Sequence, residues 1–454
     1  NYQLSSAMFC KIDNMEITDE MIANVKARMQ EIINQNLEIR KVVMTKEEAE
    51  EFYSNEKTLR GIVQIDNTQK EGVSLYYCED YFNYFFGVMP VTTAYTDVFD
   101  VIKYGDGFLV RYPSAEKPNE LTNYKSNKKL LSTLEEYEDI HRVLQIDTLY
   151  KLNKEIKEGR TSNVILLSEA LHEKKMANIA DDIAKRKNVK MVLIAGPSSS
   201  GKTTFAKRLG VELRLNGLKP VTISVDNYFV ERVDNPKDEN GDYDFECLEA
   251  IDLELFNNHI KTLLDGGTID VPTFDFKVGT KRYNGEKMHL EDDEILVIEG
   301  IHCLNDKLTS SIPMEQKYKI YISDLTVLNI DYCNRISTTD TRLIRRIVRD
   351  NNFRGYSALH TLRTWASVNR GENKNIFPYQ ENCDVMFNSS LIYELSVLKK
   401  QALPLLQEIT NAEPEYAEAK RLAEFLKYFE EVDEGLIPQN SLLREFVGGS
   451  IFGD

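Results

Sequence analysis

Residues Val189–Thr203 have the sequence VKMVLIAGPSSSGKT, in which an apolar run passes directly into a glycine-bounded loop. The run predicts a buried strand, and the residues that follow predict a helix that ends near Leu215. The loop between them fits the pattern G-x-x-x-x-G-K-[ST], whose backbone N–H groups wrap nucleotide phosphates at a helix N-terminus. We therefore expect ATP to bind at the following residues: Gly196, Ser198, Ser199, Ser200, Gly201, Lys202, Thr203 and Thr204.

Two side chains of this loop have separate predicted tasks. Lys202 is expected to reach the β- and γ-phosphates and to act in catalysis, and the Thr203 hydroxyl is expected to hold Mg²⁺. The alternative is a glycine-rich loop that binds no ligand. The flanking strand and helix count against that alternative, because they are the context that phosphate binding requires.

Two acidic residues stand at the ends of further predicted strands. Strand 221–225 is followed by Asp226, and strand 295–299 ends in Glu299. Ligands of open parallel sheets bind outside the carboxyl ends of the strands. We expect Asp226 to accept a proton from an attacking hydroxyl or to hold the metal, and Glu299 to be a metal or water ligand. For each, the alternative is an ordinary strand-end or turn-capping acid.

Residues 335–354 reverse the charge of the chain locally. They contain six arginines and two aspartates, a net charge of +4 in a chain whose net charge is −17. Arg342, Arg345 and Arg346 fall at helical spacing, and planar guanidinium groups suit phosphate. We expect these three to close over the phosphates as catalytic residues. The alternative is a solvated helix face paired with acids elsewhere.

The composition excludes several classes of protein. An apolar share of 42% and a charged share of 28% are those of a globular chain, and the acidic balance disfavours general attraction to nucleic acid or anionic membranes. The six cysteines are scattered without a C-x-x-C pair, and no apolar run approaches the roughly 18 residues of a membrane helix. We expect a cytoplasmic protein with no membrane partner. The absence of an N-K-x-D motif and of the protein-kinase signatures favours a small-molecule kinase over a GTPase or protein kinase.

The chain is expected to have four parts and an α/β fold class. Beta-rich runs alternate with helices after residue 188, which predicts a parallel sheet with flanking helices. In the first part, a helix is expected from Thr18 to about Asn36, and a hairpin is expected around Gly105–Gly107. The four parts are an α+β region at 1–113, a helical connector at 114–187, the P-loop domain at 188–390, and a helical extension at 391–454.

With these motifs in place, residues 189–390 resemble the uridine-cytidine kinases and, more distantly, phosphoribulokinase and pantothenate kinase. Asp226–Phe229 (DNYF) is similar to the segment that carries the family's catalytic base, and Tyr243–Phe245 (YDF) resembles the stretch whose Asp binds the ribose hydroxyls. Residues 341–350 resemble the arginine lid near the triphosphate. The resemblance implies phosphorylation of a nucleoside 5′-hydroxyl by ATP and Mg²⁺. The residues expected to bind the acceptor are Asp244, Tyr228, Phe274 and Arg354.

The acceptor segment departs from the family pattern at two positions. Phe274 stands where the family has a tyrosine that helps to recognise the pyrimidine, and Gly279 stands where it has a base-contacting histidine. A site without its polar recognition groups loses discrimination between related ligands. We therefore expect weak selection of the pyrimidine base.

Residues 1–113 resemble the second additional (editing) domain of threonyl-tRNA synthetase. Thr18–Phe52 is similar to its long helix and following segment, and Tyr77–Phe82 (YCEDYF) resembles its C-x-x-x-H element. Phe82 occupies the place of the metal-binding histidine, so we expect a degenerate relative without editing chemistry. Together with the segment Asn440–Ser450, this arrangement resembles bacterial two-part proteins of the uridine kinase-like type.

The sequence thus favours ATP-dependent phosphorylation of a nucleoside. One alternative is a kinase for another sugar-like or vitamin alcohol. A second is an RNA-associated regulator, in which the first region binds tRNA and the P-loop only switches; the acidic balance and the intact Asp226 count against it. The base, the sugar and the oligomeric state are left open, and a homo-oligomer is compatible with the sequence.

Overall fold

The computed structural model of the 454-residue chain describes residues 2–453 except 5, 13, 56–71, 86–88, 115–116, 238–240, 242, 276–277 and 332–333. These residues belong to two compact units. The first is Asn1–Lys154 with Val327–Ile336, and the second is Glu155–Thr326 with Ser337–Asp454. None of the helices in the described ranges is both long enough and apolar enough to cross a membrane.

The first unit contains two antiparallel sheets with helices. Its elements in chain order are β1 (Tyr2–Gln3), β2 (Ala7–Cys10), α1 (Asp19–Asn34), β3 (Arg40–Thr45), α2 (Lys46–Asn55), β4 (Gly72–Cys78), β5 (Tyr81–Tyr84), β6 (Asp100–Tyr104), β7 (Gly107–Arg111), α3 (Lys128–Leu144) and α4 (Leu149–Lys157). The sheets have the orders β1-β2-β7-β6 and β3-β4-β5.

Local sequence signals explain several of these elements. The predicted first helix is confirmed, and it begins where the Thr18 hydroxyl accepts the Met21 N–H at 3.2 Å. The predicted hairpin is confirmed by the pairing of β6 with β7 around a turn at Gly105, whose φ is +58°. Within the region expected to be a helical connector, α3 and α4 are separate helices, because Gln145, with φ +58°, follows the end of α3.

The second unit is built on a five-stranded parallel sheet with the order β14-β13-β8-β12-β9. Its elements are α5 (Thr161–Lys185), β8 (Met191–Ala195), α6 (Lys202–Leu215), β9 (Lys219–Ser224), α7 (Leu253–Leu264), β10 (Thr268–Asp275), β11 (Thr280–His289), β12 (Glu294–Glu299), β13 (Lys317–Ser323), α8 (Thr338–Arg349), α9 (Ala358–Asn375), β14 (Val385–Asn388), α10 (Glu394–Gln407), α11 (Tyr416–Leu426) and α12 (Arg444–Val447).

The centre of this sheet is covered on its faces by helices, which accounts for the uninterrupted apolar run before the P-loop. All five residues of β8 are fully buried. Ile179 of α5 and Phe205 of α6 belong to the same apolar core as Val192 and Ile194. A strand covered on both faces has no need of alternating polar residues. The predicted α/β fold with a parallel sheet and flanking helices is confirmed.

Two features of the second unit are absent from the sequence-based predictions. β10 and β11 form an antiparallel hairpin whose register shifts between Asp270 and Pro272. The arginine-rich helix α8 continues into a π-helical turn, Asp350–Arg354, that stops at Gly355 with φ +69°. π-helical turns are frequent at functional sites. The predicted helices after residue 390 are present as α10, α11 and the short α12.

Candidate active site

The P-loop and the two predicted acids meet at the carboxyl ends of the strands of the parallel sheet. β12 lies between β8 and β9, and Glu299 is in register with Ile194 of β8 and with Ser224 of β9. The P-loop begins two residues after Ile194, and Asp226 lies two residues after Ser224. The carboxyl ends of parallel strands lie on the same side of the sheet. The register therefore brings the loop, Glu299 and Asp226 together at these ends, where ligands of such sheets bind.

The backbone of the loop explains its glycines. A Cβ atom on Gly196 would lie 1.9 Å from the Ile322 carbonyl oxygen of β13, so only glycine fits this position. Gly201 precedes α6 with φ +87°, and Ser199 also has a positive φ, of +60°. Left-handed residues next to a helix N-terminus turn successive N–H groups toward one point, which is the geometry of an anion-binding nest.

The loop serines and Lys202 differ in their contacts. Ser199 and Ser200 are buried, and their hydroxyl oxygens have no hydrogen-bond partner among the described residues. Lys202 Nζ donates to the carbonyl oxygens of Gly196 and Pro197, each at 3.0 Å. The ammonium group therefore lies over the loop that it is predicted to serve. The Thr203 side chain is exposed at the start of α6.

Asp226 and Glu299 are electrostatically coupled to each other and to Lys202. Burial raises the pKa of Asp226, and the positive charges of Lys202, Arg354 and Arg349 oppose this shift. Burial, together with the charge of Asp226, raises the pKa of Glu299 to about 7, although Lys202 and a 2.8 Å hydrogen bond from the Ser224 hydroxyl favour its ionised form. A raised pKa makes a carboxylate a stronger proton acceptor, as a general base requires.

The three arginines predicted to be catalytic lie on α8, and all three contact the P-loop. Arg342 Nε donates to the Ser198 carbonyl oxygen at 3.0 Å, Arg345 Nη1 donates to the Ser199 carbonyl oxygen at 3.3 Å, and Arg346 Nη1 donates to the Ser198 hydroxyl at 2.7 Å. The structure therefore brings all three to the loop, where they hold its backbone and one hydroxyl in place.

Arg342 and Arg345 differ from the expectation that they close over the phosphates. Arg342 is ion-paired with Glu372, and Arg345 is ion-paired with Glu394 and lies 3.6 Å from Asp324. The arginine side chains and these carboxylates are all buried. A guanidinium group held by buried carboxylates and loop carbonyls supports the loop, since leaving it would strand a buried charge.

A second group of arginines gathers around the buried carboxylate of Asp350. Arg349 Nη2 lies 2.7 Å, Arg346 Nε lies 3.3 Å and Arg354 Nε lies 3.7 Å from its oxygens. Arg349 and Arg354 are also close enough to Asp226 to oppose the rise of its pKa. The π-helical turn that carries Asp350 and Arg354 therefore directs these cations to the side of the site where Asp226 lies.

Two acids of the site were missed from sequence. Glu372 of α9 accepts the Ser198 N–H at 2.9 Å and so holds the loop together with Arg342. Burial raises the pKa of Glu246 to about 7, together with the charges of Glu372 and Asp226. Neither belongs to a motif, and the only sequence signal is that Glu246 lies two residues after Asp244.

The predicted acceptor residues occupy different environments. Asp244 is half-buried, and its Oδ1 accepts the Glu246 N–H at 3.0 Å. Phe274 is buried with its ring centroid 5.5 Å from that of Phe229, and Phe229 lies 6.2 Å from Phe245. The three rings form a continuous aromatic group.

Tyr228 requires a correction. Its side chain is fully buried, its hydroxyl lies 3.1 Å from His259 Nδ1, and its ring packs edge-on against Phe256 of α7. Tyr228 therefore belongs to the core under the site, and its hydroxyl is already hydrogen-bonded there. The family resemblance implied that Tyr228 binds the acceptor, but its burial and its contacts with His259 and Phe256 assign it to the core.

The oxygen donors of the site fit Mg²⁺. Magnesium is bound by hard oxygen ligands and takes only one or two from the protein when it is shared with substrate phosphates. Thr203 supplies an exposed hydroxyl, and Glu299 supplies a carboxylate held in place by Ser224. No group of three or more His, Cys, Asp or Glu side chains that could hold a metal occurs in the part of the chain that the structure describes.

Comparison with known proteins identifies the same part of the chain. The model of the phosphoribulokinase / uridine kinase family matches residues 191–394. The uridine kinase of Ligilactobacillus salivarius (strain UCC118) is 30% identical over 187 residues, which are 41% of this chain and 78% of that protein. The uridine kinase of Bacillus subtilis (strain 168) is 27% identical over 222 residues, which are 48% of this chain and 96% of that protein.

Among solved structures, a possible uridine kinase from Bacillus stearothermophilus is similar to 47% of this chain. The match covers 100% of that chain, at 18% identity and a TM-score of 0.30. The fold is defined here by the strand order and register of the parallel sheet.

Proposed function

Because the chain belongs to the phosphoribulokinase / uridine kinase family, we propose that it transfers the γ-phosphoryl group of ATP to the 5′-hydroxyl of a nucleoside. The observation that carries the proposal is the register of β8, β12 and β9, which brings the P-loop, Glu299 and Asp226 together at the carboxyl ends of these strands. Phosphoryl transfer needs little covalent help from a protein, and catalysis is positioning plus charge stabilisation.

In this proposal the loop and Asp226 divide the work between donor and acceptor. The loop N–H groups and Lys202 stabilise the triphosphate, and Asp226 accepts the proton of the attacking hydroxyl as the bond between the β–γ bridging oxygen and the γ-phosphorus breaks. The raised pKa of Asp226 supports this role. Arg349 and Arg354, which approach Asp226, stabilise the charge that develops on the transferred group.

Thr203 and Glu299 would hold Mg²⁺, which neutralises charge on the β- and γ-phosphates when it is bound. Both residues supply hard oxygen ligands, and Glu299 is fixed by its hydrogen bond from Ser224. The positioning of the loop falls to Arg342, Arg345 and Glu372, whose buried contacts with Ser198 and Ser199 hold the loop backbone.

Two features support a nucleoside as the acceptor. Asp244 supplies a half-buried carboxylate for a sugar diol, and the exposed ring of Phe245, which adjoins the buried rings of Phe229 and Phe274, offers an apolar surface on which a base can stack. A carboxylate that accepts hydrogen bonds from hydroxyl groups gives a charge-assisted contact. An aromatic surface accepts any base, because every base has a π-face.

A second candidate, a kinase for another sugar-like or vitamin alcohol, is favoured by the surroundings of Gly279. This residue has φ +80°, and a Cβ atom there would lie 2.6 Å from Arg232 Nε. Any side chain at this position is therefore strained and blocked by Arg232. The hairpin tip offers no base-contacting side chain at this point, and Arg232 instead places a cation beside it.

For residues 1–113 we propose a degenerate relative of the synthetase editing domain without its metal chemistry. Phe82 supports this, because its ring packs 4.8 Å from Phe52 and 5.5 Å from Tyr77, measured between centroids. The position that would hold a metal-binding histidine contributes instead to an aromatic core. Zinc titration of the full chain, followed by metal analysis after dialysis, is expected to find no zinc bound; stoichiometric zinc would contradict the proposal.

The acceptor screen that tests the kinase proposal compares ADP release by the full chain with ATP, Mg²⁺ and each candidate alcohol. The set contains uridine, cytidine, adenosine, their 2′-deoxy forms, ribose and pantothenate. We expect release that depends on a nucleoside and that Asp226→Asn abolishes. Release with ribose or pantothenate alone would favour the second candidate. Release that is independent of every acceptor would contradict both kinase proposals.

A further inference from the structure

The segment Asn440–Gly453, here termed the C-terminal strap, is bonded to the helix that follows the P-loop. Glu445 Oε2 accepts the Thr204 N–H at 3.0 Å. Lys207 Nζ, one turn further along α6, donates to the carbonyl oxygens of Phe452 at 3.1 Å and of Gly453 at 3.5 Å. The strap is therefore attached to α6 by contacts near its middle and near its end.

Glu445 binds a backbone N–H group of the kind that binds nucleotide phosphates in P-loops. Thr204 is the third residue of α6, and the Phe205 N–H is the first in the helix to bond back to the preceding turn, at 3.0 Å to the Gly201 carbonyl oxygen. The Thr204 N–H thus belongs to the N-terminal donors that have no partner inside a helix. In a P-loop these donors cradle the phosphates, and the same positive end of the helix favours the carboxylate of Glu445.

The residue next to Glu445 also lies close to the P-loop. The Phe446 ring centroid is 5.1 Å from the guanidinium carbon of Arg345, and Arg345 Nη1 donates to the Ser199 carbonyl oxygen of the loop. A carboxylate at this point adds negative charge to the side of the sheet where the triphosphate is proposed to bind.

Residues close to Glu445 on the strap are packed into the core, whereas the Glu445 side chain is free to turn. Leu442 is buried in the core cluster that includes Phe205, and Phe446 is buried with its ring centroid 5.1 Å from the Arg345 guanidinium carbon. The Phe446 carbonyl oxygen accepts Asn352 Nδ2 at 3.1 Å. Glu445 itself is only half-buried, so its side chain can turn away from Thr204 by a rotamer change while Leu442 and Phe446 stay in place.

We propose that the strap is autoinhibitory, with Glu445 as an internal ligand of the P-loop that a nucleotide phosphate must displace from the Thr204 N–H. This inference rests on the proposed function, because it assumes that nucleotide phosphates bind the amides of the loop and of α6. An effector or partner that draws Glu445 away raises the affinity of the chain for ATP.

Calorimetric titration with a non-hydrolysable ATP analogue and Mg²⁺ tests the strap in the full-length chain. Glu445→Gln keeps the shape of the side chain but removes its charge. We expect its Kd for the analogue to fall about tenfold below that of the unmodified chain, the size of one charge-assisted contact. Glu431→Gln is the matched control, because Glu431 is an exposed glutamate of the same unit, and its Kd should be unchanged.

Hydrogen exchange of the unmodified chain supplies an independent measurement. The analogue should protect the P-loop amides without protecting 440–453, because the backbone of the strap stays in place when the Glu445 side chain turns away. If the Kd of Glu445→Gln is unchanged or higher while the chain still binds the analogue through Lys202, the strap proposal is overturned and the kinase proposal stands. Protection of 440–453 by the analogue would likewise overturn it. If neither protein binds any nucleotide, both proposals fail together.

Discussion

The donor and acceptor sides of the site are built in different ways. On the donor side, the loop backbone is held by Arg342, Arg345 and Glu372 through buried, charge-assisted contacts. On the proposed acceptor side, Asp244 accepts one backbone N–H, and the exposed ring of Phe245 lies next to the buried ring of Phe229. The phosphate-binding loop is therefore preorganised, whereas the proposed acceptor site consists of a few side chains that can change without disturbing the loop.

Loss of the P-loop lysine should produce the largest effect. Lys202→Ala removes a cation that stabilises the transferring group, so we expect kcat to fall by about 10²–10³-fold or more. The measurement is steady-state ADP release, with a thermal unfolding scan to show that the variant is folded. A folded variant with near-normal kcat would mean that the donor side does not carry the chemistry.

Changing the proposed base should separate binding from transfer. Asp226→Asn keeps the shape but removes the proton acceptor, so phosphoryl transfer should fall at least about a hundredfold while the affinity for ATP persists. Nucleotide titration and single-turnover kinetics on the same preparation distinguish the two. If the affinity for ATP collapses instead, Asp226 is chiefly a metal ligand and its assignment to the acceptor is wrong.

The acceptor side should distinguish sugars better than bases. A charge-assisted contact from Asp244 to the sugar diol is worth about 1.5–3 kcal/mol, so removal of the 2′-hydroxyl should lower kcat/KM by roughly 10–100-fold. Exchange of uridine for cytidine or adenosine should change it less, because Phe274 and Gly279 offer shape without polar recognition. Asp244→Asn should reduce the penalty for the deoxy form. A strong preference for one base, with no effect of the 2′-hydroxyl on kcat/KM, would contradict this prediction and would mean that other residues recognise the base.

The smallest expected effect is the pH dependence of stability that Glu299 causes. Its pKa is raised from the ordinary value of 4.5 to about 7, so the folded state binds a proton that the unfolded chain has already released. This contribution is fully present below about pH 4.5 and is lost as the pH rises through about 7. Between these pH values, the unfolding temperature of Glu299→Gln should therefore fall by about 2–4 °C less than that of the unmodified chain, measured without divalent cations.

Glu431→Gln, at an exposed position, is the control for that experiment and should follow the unmodified chain. An identical slope for Glu299→Gln and the unmodified chain would show that Glu299 is not protonated in the folded state. That result would remove the electrostatic coupling between Glu299 and Asp226 from the account of the site.

The features that could be predicted from sequence are those set by short-range rules. Gly196 and Gly201 are dictated by a close approach and a positive φ, and the apolar run of β8 follows from burial on both faces of the sheet. These constraints act on neighbouring residues, so the motif contains them. The ends of β9 and β12 could be inferred in the same way, since an acid follows or closes each strand.

The features that could not be predicted depend on residues far apart in the chain. Glu372 lies 174 positions after Ser198, and Glu445 lies 241 positions after Thr204, so no local pattern relates them. The spacing of Arg342 and Arg345 indicated a helix face correctly but not that buried acids cover it. The binding role expected for Tyr228 was wrong because an aromatic residue beside a predicted catalytic segment serves equally well as part of the core.

Transfer of labelled phosphate tests the central claim most directly. The full chain is incubated with [γ-³²P]ATP, Mg²⁺ and uridine, and the products are separated and identified by mass. The register that joins the P-loop to Asp226 predicts label in a nucleoside 5′-monophosphate, and its loss in Asp226→Asn. Label released only as inorganic phosphate, at a rate that no alcohol changes, would contradict the account and would indicate a nucleotide switch instead of a kinase.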